Sequence, residues 1–172
     1  MTMPFEVTVD GDHRRCIVGG EPLIFHCHHY NVALQQALID AAYGDFEPVL
    51  VGAAASVAFS QLSALFAQGS ATSLAERAHV AEELYRWAGF GTLTLGGLGP
   101  AGGRVSTLDS HYAHGCRAKQ GESKTPVCFF ASGFLAGALA AIHGLPDGSF
   151  GVTHGACMAC GAPGWVFEVA RA

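Results

Sequence analysis

Charge is what this chain has least of. Only 13% of its 172 residues are charged against 50% apolar, and nine Lys+Arg face 14 Asp+Glu for a formal net charge of −5. So few cations make no basic face, which excludes direct nucleic-acid binding. A thinly charged surface is expected to be partly covered, and a homodimer is the simplest cover. No apolar run reaches the roughly 20 residues that a bilayer span needs. The longest, residues 48–59, is rich in small side chains and reads as a buried helix. The N-terminal MTMPFEVTVDGDHRR has no basic region followed by an apolar run, so a cytoplasmic location without a membrane is expected. Linkers, internal repeats and low-complexity segments are also missing, and residues 1–172 read as one domain. Asp109, Glu122 and Glu168 stand apart rather than as an acid–base pair, and no nucleophile motif surrounds Cys27 or Cys116. The sequence therefore assigns no catalytic residue.

What the chain does have is 23 glycines, nine histidines and six cysteines. Residues 4–9 alternate as a strand, Gly11-Asp12 is a turn, and residues 15–18 return as its partner. Another apolar run, residues 22–25, leads to the string His26, Cys27, His28, His29, Tyr30, with Asn31 as the expected cap of a helix ending at Gly44. A second helix runs from Pro48 to Gly69. A third starts at Ser73, where Glu76 completes a capping box, and ends near Gly89. Its charges, including Glu82, read as a solvated face. Residues 92–95 and 104–108 read as strands joined by a Gly-rich turn, and the polar stretch 117–124 as a loop. Residues 127–142 form a helix apolar on nearly every side, in which Gly133, Gly137 and Ala141 recur every four residues and offer a smooth ridge to another backbone or a flat ligand. Residues 150–153 and 165–169 then pair as strands. The fold class is α+β, an antiparallel sheet with packed helices.

Two constellations carry chemistry. His154-x-x-Cys157-x-x-Cys160 has metal-like spacing, and Cys128 at the start of the Gly helix would complete four nitrogen and sulfur donors for tetrahedral zinc. Buried thiols that never meet a metal, or a redox-active CxxC, are the alternatives. The second gathers His26, Cys27, His28 and His29 with His111, His114 and Cys116. Neutral imidazole suits zinc, iron, copper and haem, so a second metal or haem site built by His26, His28, His111, His114 and Cys116 is the rival reading, and with it a metal- or haem-dependent enzyme. In extended backbone, His26 and His28 would share one face and His114 and Cys116 another. Ordinary satisfied or surface histidines are the bland alternative. Among the aromatics, Tyr30, Trp87, Phe130 and Phe134 are candidates to line a pocket for a hydrophobic or aromatic small molecule, although most aromatic residues must be core in any case.

Residues 125–169 carry a resemblance. The runs SGFLAGAL from Ser132, FGVTHGACM from Phe150, GAP from Gly161 and the pair Phe167-Glu168 are similar to the C-terminal signature of 4-vinyl reductase-type domains. That family includes small-molecule-sensing modules of phenol- and xylene-responsive transcription activators. The resemblance implies a dimeric α+β fold and a ligand-sensing role; with no DNA-binding or ATPase segment attached, output is expected through a partner regulatory protein or through ligand sequestration. It also implies a structural zinc held by a Cys before the Gly helix, an acidic residue, a second Cys and a third Cys. Cys128 takes the first place, His154 the acidic place and Cys157 the second Cys. The third place falls near Trp165, which cannot bind zinc, so Cys160 substitutes or the site is rebuilt for another metal.

Overall fold

The computed structural model describes residues 3–24, 27–41, 45–69 and 71–172. Strands β1 (Val7–Asp10), β2 (Arg15–Val18) and β3 (Glu21–Leu23) form an antiparallel ribbon in that order. Helices α1 (His28–Asp40), α2 (Phe46–Ala67) and α3 (Leu74–Trp87) follow, then β4 (Gly102–Thr107), α4 (His111–Gln120) and α5 (Phe129–His143). The chain closes with β5 (Phe150–Ala156), a 3-10 turn at Met158–Cys160 and β6 (Trp165–Arg171). The second sheet is antiparallel in the order β4-β6-β5, with Val105 opposite Phe167 and Val152 opposite Val169. This is a single α+β domain.

Helix α5 is buried from Phe129 to Ile142 apart from the half-buried Phe130, because other elements cover it on more than one side. Along β6 the alternating Trp165, Phe167 and Val169 are buried, as period-two geometry requires of a strand with one face on the core. On another flank lies α2. A Cβ added to Gly133 would strike the Val51 carbonyl oxygen and the Ala54 side chain, and one on Gly137 would strike the Ala55 carbonyl oxygen. The ridge expected at these glycines thus receives a backbone. Helix α2 buries Ala54, Ala58, Leu62, Leu65 and Phe66, but Val49 and Val57 are 69% and 62% exposed. The segment read as a buried helix therefore buries one face only. At 22 residues α2 is long and apolar enough to cross a membrane by length and composition, which the shorter apolar run had not indicated.

Several local expectations change. Cys27, not Asn31, caps α1, its Sγ accepting from the Tyr30 amide at 3.4 Å. The expected stop at Gly44 lies outside the described residues. Residues 92–95 form no ladder; Leu93 and Leu95 are buried alternately, and Glu82 accepts from the amides of Leu95 (2.5 Å) and Gly96 (3.2 Å). A side chain that had read as plain solvated surface thus replaces a strand partner for that segment. The string from Ser110 is helical rather than extended, because its Ala113 and Cys116, three apart, both reach the core.

The capping box at Ser73 is formed as expected. Ser73 Oγ accepts from the Glu76 amide at 3.2 Å, and the Glu76 carboxylate accepts from the Ser73 amide at 2.8 Å. Ser73→Ala should lower stability by about 1 kcal/mol, read from the urea midpoint at unchanged slope.

Candidate functional site

An apolar cavity of about 180 Å³ lies among α2, α3 and α5. Helix α2 contributes Ala54, Ala58 and the half-buried Gln61, α3 contributes Leu84 and Tyr85, and α5 contributes Phe130 and Phe134, with Phe90 closing the wall. The rings are in mutual contact. Phe90 stacks on Phe130 with centroids 4.0 Å apart, and Tyr85 lies 4.8 Å from Phe134 and 5.6 Å from Phe90. Their placement follows from helical spacing: Phe130 and Phe134 are four apart on α5, and Tyr85 shares the buried face of α3 with Ala78 and Ala81.

One polar group stands out in this wall. Tyr85 is 2% exposed and carries a hydroxyl among the apolar groups that line the cavity. Burial pushes its pKa well above the ordinary value, so it stays protonated. A protonated phenol can donate a hydrogen bond, and this one borders a cavity that a ligand oxygen can enter. A wider groove of about 490 Å³ over the second sheet, lined by Thr92, Thr94, Ser106, Thr107 and Trp165 among others, is open to solvent and lacks such enclosure.

Phe130 and Phe134 thus line the cavity, whereas Tyr30 is half exposed on α1 and Trp87 lies against the N-terminal ribbon beside Phe5 and Val18. Tyr85 is not among the pocket residues expected from the sequence. Its signal was the Ala78, Ala81, Tyr85 spacing, which sets it on the opposite side of α3 from the more conspicuous Trp87.

The C-terminal donors are arranged differently from the expected zinc set. His154 Nε2 lies 3.3 Å from Ser132 Oγ, and Cys128 Sγ lies 3.1 Å from Ser110 Oγ. Cys116, midway along α4, is buried instead within electrostatic reach of Cys157, as are Cys128 and Cys160. Burial raises the Cys128 and Cys116 thiols, and burial with the adjacent Cys157 pushes Cys160 up to about 11. These groups are thiols at neutral pH, a poor state for nucleophilic attack. Trp165, 1% exposed, is core packed on Phe167. Among the described residues no group of three or more His, Cys, Asp or Glu side chains is disposed to hold a metal ion. The zinc site that the resemblance implied finds no support among the described residues, where His154 and Cys128 each lie against a serine hydroxyl.

The second histidine set separates as well. His28 and His111 face each other, His114 Nε2 turns to Asp109 at 3.1 Å, and Cys116 belongs to the thiol group. His26 lies outside the described residues.

Burial holds the His154 imidazole below its ordinary 6.5, against the opposing pull of Glu47. The unfolded chain therefore binds the proton more tightly than the folded one. Stability is expected to fall as pH drops through about 6.5 towards the lower folded value. Urea midpoints between about pH 5 and about pH 8 should show this loss on the acid side, and His154→Gln should reduce it.

No family model matches the sequence, and the curated proteins give no match. Among solved structures, the phenol-responsive sensory domain of the transcription activator PoxR, crystallised with phenol, superposes with a TM-score of 0.80, covering 96% of this chain and 84% of that one at 16% identity. The chain has the fold of that sensory domain. PoxR's domain lies within the family that residues 125–169 resemble. A vinyl-4-reductase family protein from Methanocaldococcus jannaschii aligns over 87% of this chain and 98% of its own, at 18% identity and a TM-score of 0.44. At such identities, what carries over to this sensory-domain fold is the path of the backbone. Its side chains must be read for themselves.

Proposed function

We propose that the protein is a small-molecule-binding sensory module whose ligand is a monocyclic aromatic of about phenol's size, held between α2, α3 and α5. The observation that carries this reading is the partly open apolar cavity walled by Phe90, Phe130 and Phe134 with Tyr85 beside them. Apolar cavities of about 150 Å³ bind benzene, and this one, at about 180 Å³, leaves room for one ring and one substituent. Phe90, Phe130 and Phe134 supply the faces and edges that an aromatic ligand packs against. Tyr85 donates to the ligand's oxygen. The phenol bound by the PoxR domain supports the same ligand class. The exposed Tyr30, Leu34 and Val57 support a homodimer that covers them, and output passes to a partner regulatory protein.

Calorimetric titration and thermal shift with phenol, toluene and 2-naphthol test the reading. Phenol should bind and raise the melting temperature, toluene more weakly, and naphthol not at all. Ligand at about 100 times its Kd stabilises by about 2.7 kcal/mol. Tyr85→Phe should cost about tenfold in phenol affinity and leave toluene unaffected. If no monocyclic aromatic stabilises the protein, the reading fails.

A further inference from the structure

His28 opens α1 and His111 opens α4, and the fold brings them together across 83 residues of sequence with Nδ1 atoms 3.3 Å apart. Their rings meet edge to face at 81°, with centroids 4.7 Å apart. At most one proton sits between the two nitrogens of a neutral pair, so one Nδ1 always offers a lone pair to the other ring. Nitrogen ligands at 2.0–2.1 Å from a tetrahedral ion stand about 3.3 to 3.4 Å from each other. The observed separation has that length.

Both rings are seated rather than free. A Cβ on Gly115 would come within 2.9 Å of His28 Cε1 and also strike Val32, so the bare backbone of α4 is what admits the imidazole. His111 is held edge-on by Phe90 and Tyr112, with centroids 5.9 and 5.0 Å away. Its Nε2 is buried without a partner, which leaves Nδ1 as its working atom.

We propose that His28 and His111 bind a divalent transition-metal ion of the zinc class through their two Nδ1 atoms, joining the first turns of α1 and α4. Among the described residues no third His, Cys, Asp or Glu joins them, and water completes the shell. Binding replaces the shared proton by the ion: the ring carrying Nδ1–H shifts its proton to Nε2, the ion gives up two waters, and no net proton is released. The positive ends of two helices oppose a cation here, so the site selects ions that bond imidazole strongly over hard cations such as magnesium. This site is separate from the ligand cavity and does not depend on its reading.

The test is titration of the full chain, labelled with 15N-histidine, with zinc, the affinity being set by competition against a chromophoric chelator. Expected are one equivalent bound, Nδ1 shifts on two histidines, and an affinity unchanged in Cys157→Ser. His28→Gln, at an exposed position, should keep the circular dichroism spectrum and lose about tenfold or more in affinity. His111→Asn should do the same. Zinc that leaves the histidine nitrogens unshifted, is lost with Cys157, or survives His28→Gln unchanged overturns the proposal, as does failure to bind zinc at millimolar concentration.

Discussion

Gly137→Ala should destabilise the protein by about 3 kcal/mol or more, and Gly137→Leu should abolish the cooperative unfolding transition. The expectation rests on what stands opposite. The added Cβ would meet the Ala55 carbonyl oxygen and sit 3.0 Å from the Phe59 amide nitrogen. Those atoms are backbone, inside a helix whose own hydrogen bonds fix them, so no rotamer change relieves the clash. The two helices must move apart, and the apolar contacts along α2 and α5 are lost with them. Gly144 gives the control. It ends α5 at φ 64° with nothing within 4 Å of an added Cβ, so Gly144→Ala meets only the modest cost of left-handed backbone, about 1 kcal/mol. Urea unfolding of the two alanine variants should therefore separate them, and equal stabilities would contradict the packing described.

Ala58→Phe should remove aromatic ligand binding by about 100-fold or more while leaving the melting temperature of the free protein unchanged or raised. Ala58 is 3% exposed and lines the cavity, so a ring built there takes the space that the ligand would take. Filling a void normally restores lost contacts rather than adding strain. The pairing of the two readouts is what makes the variant informative. Loss of binding with loss of stability would mean only a damaged core, whereas loss of binding in an intact protein places the ligand among α2, α3 and α5.

Much of the fold could be read from residue pattern. The capping box at Ser73, the pairing of residues 15–18 with the first strand, and the glycine ridge of α5 each rest on local chemistry that a single sequence states openly. What escaped was decided by distant partners. Residues 92–95 alternate like a strand, yet Glu82 takes the amides of Leu95 and Gly96 where a neighbouring strand would have been needed. Cys116 reads as the companion of His111 and His114, but a helix turns it to the thiols of Cys128 and Cys157. His154 and Cys157 have metal-like spacing along the chain, while a register shift follows His154 in β5 and its ring lies against Ser132 on α5. Spacing reports which residues are near in sequence, and donor sets are made by orientation.

The two glycines of α5 also settle which parts of the molecule can yield. With backbone keyed into backbone, α2 and α5 behave as one rigid spar and cannot slide past each other without the clash that a Cβ would cause. A guest entering the cavity beside that spar meets the remaining wall, made by α3, Phe90 just beyond its end, and Leu23 and Ile24 of the N-terminal ribbon. That wall continues into His111, whose ring leans on Phe90. Phe90 thus touches Tyr85 on one side and His111 on the other, so a continuous run of rings leads from the cavity wall to the start of α4.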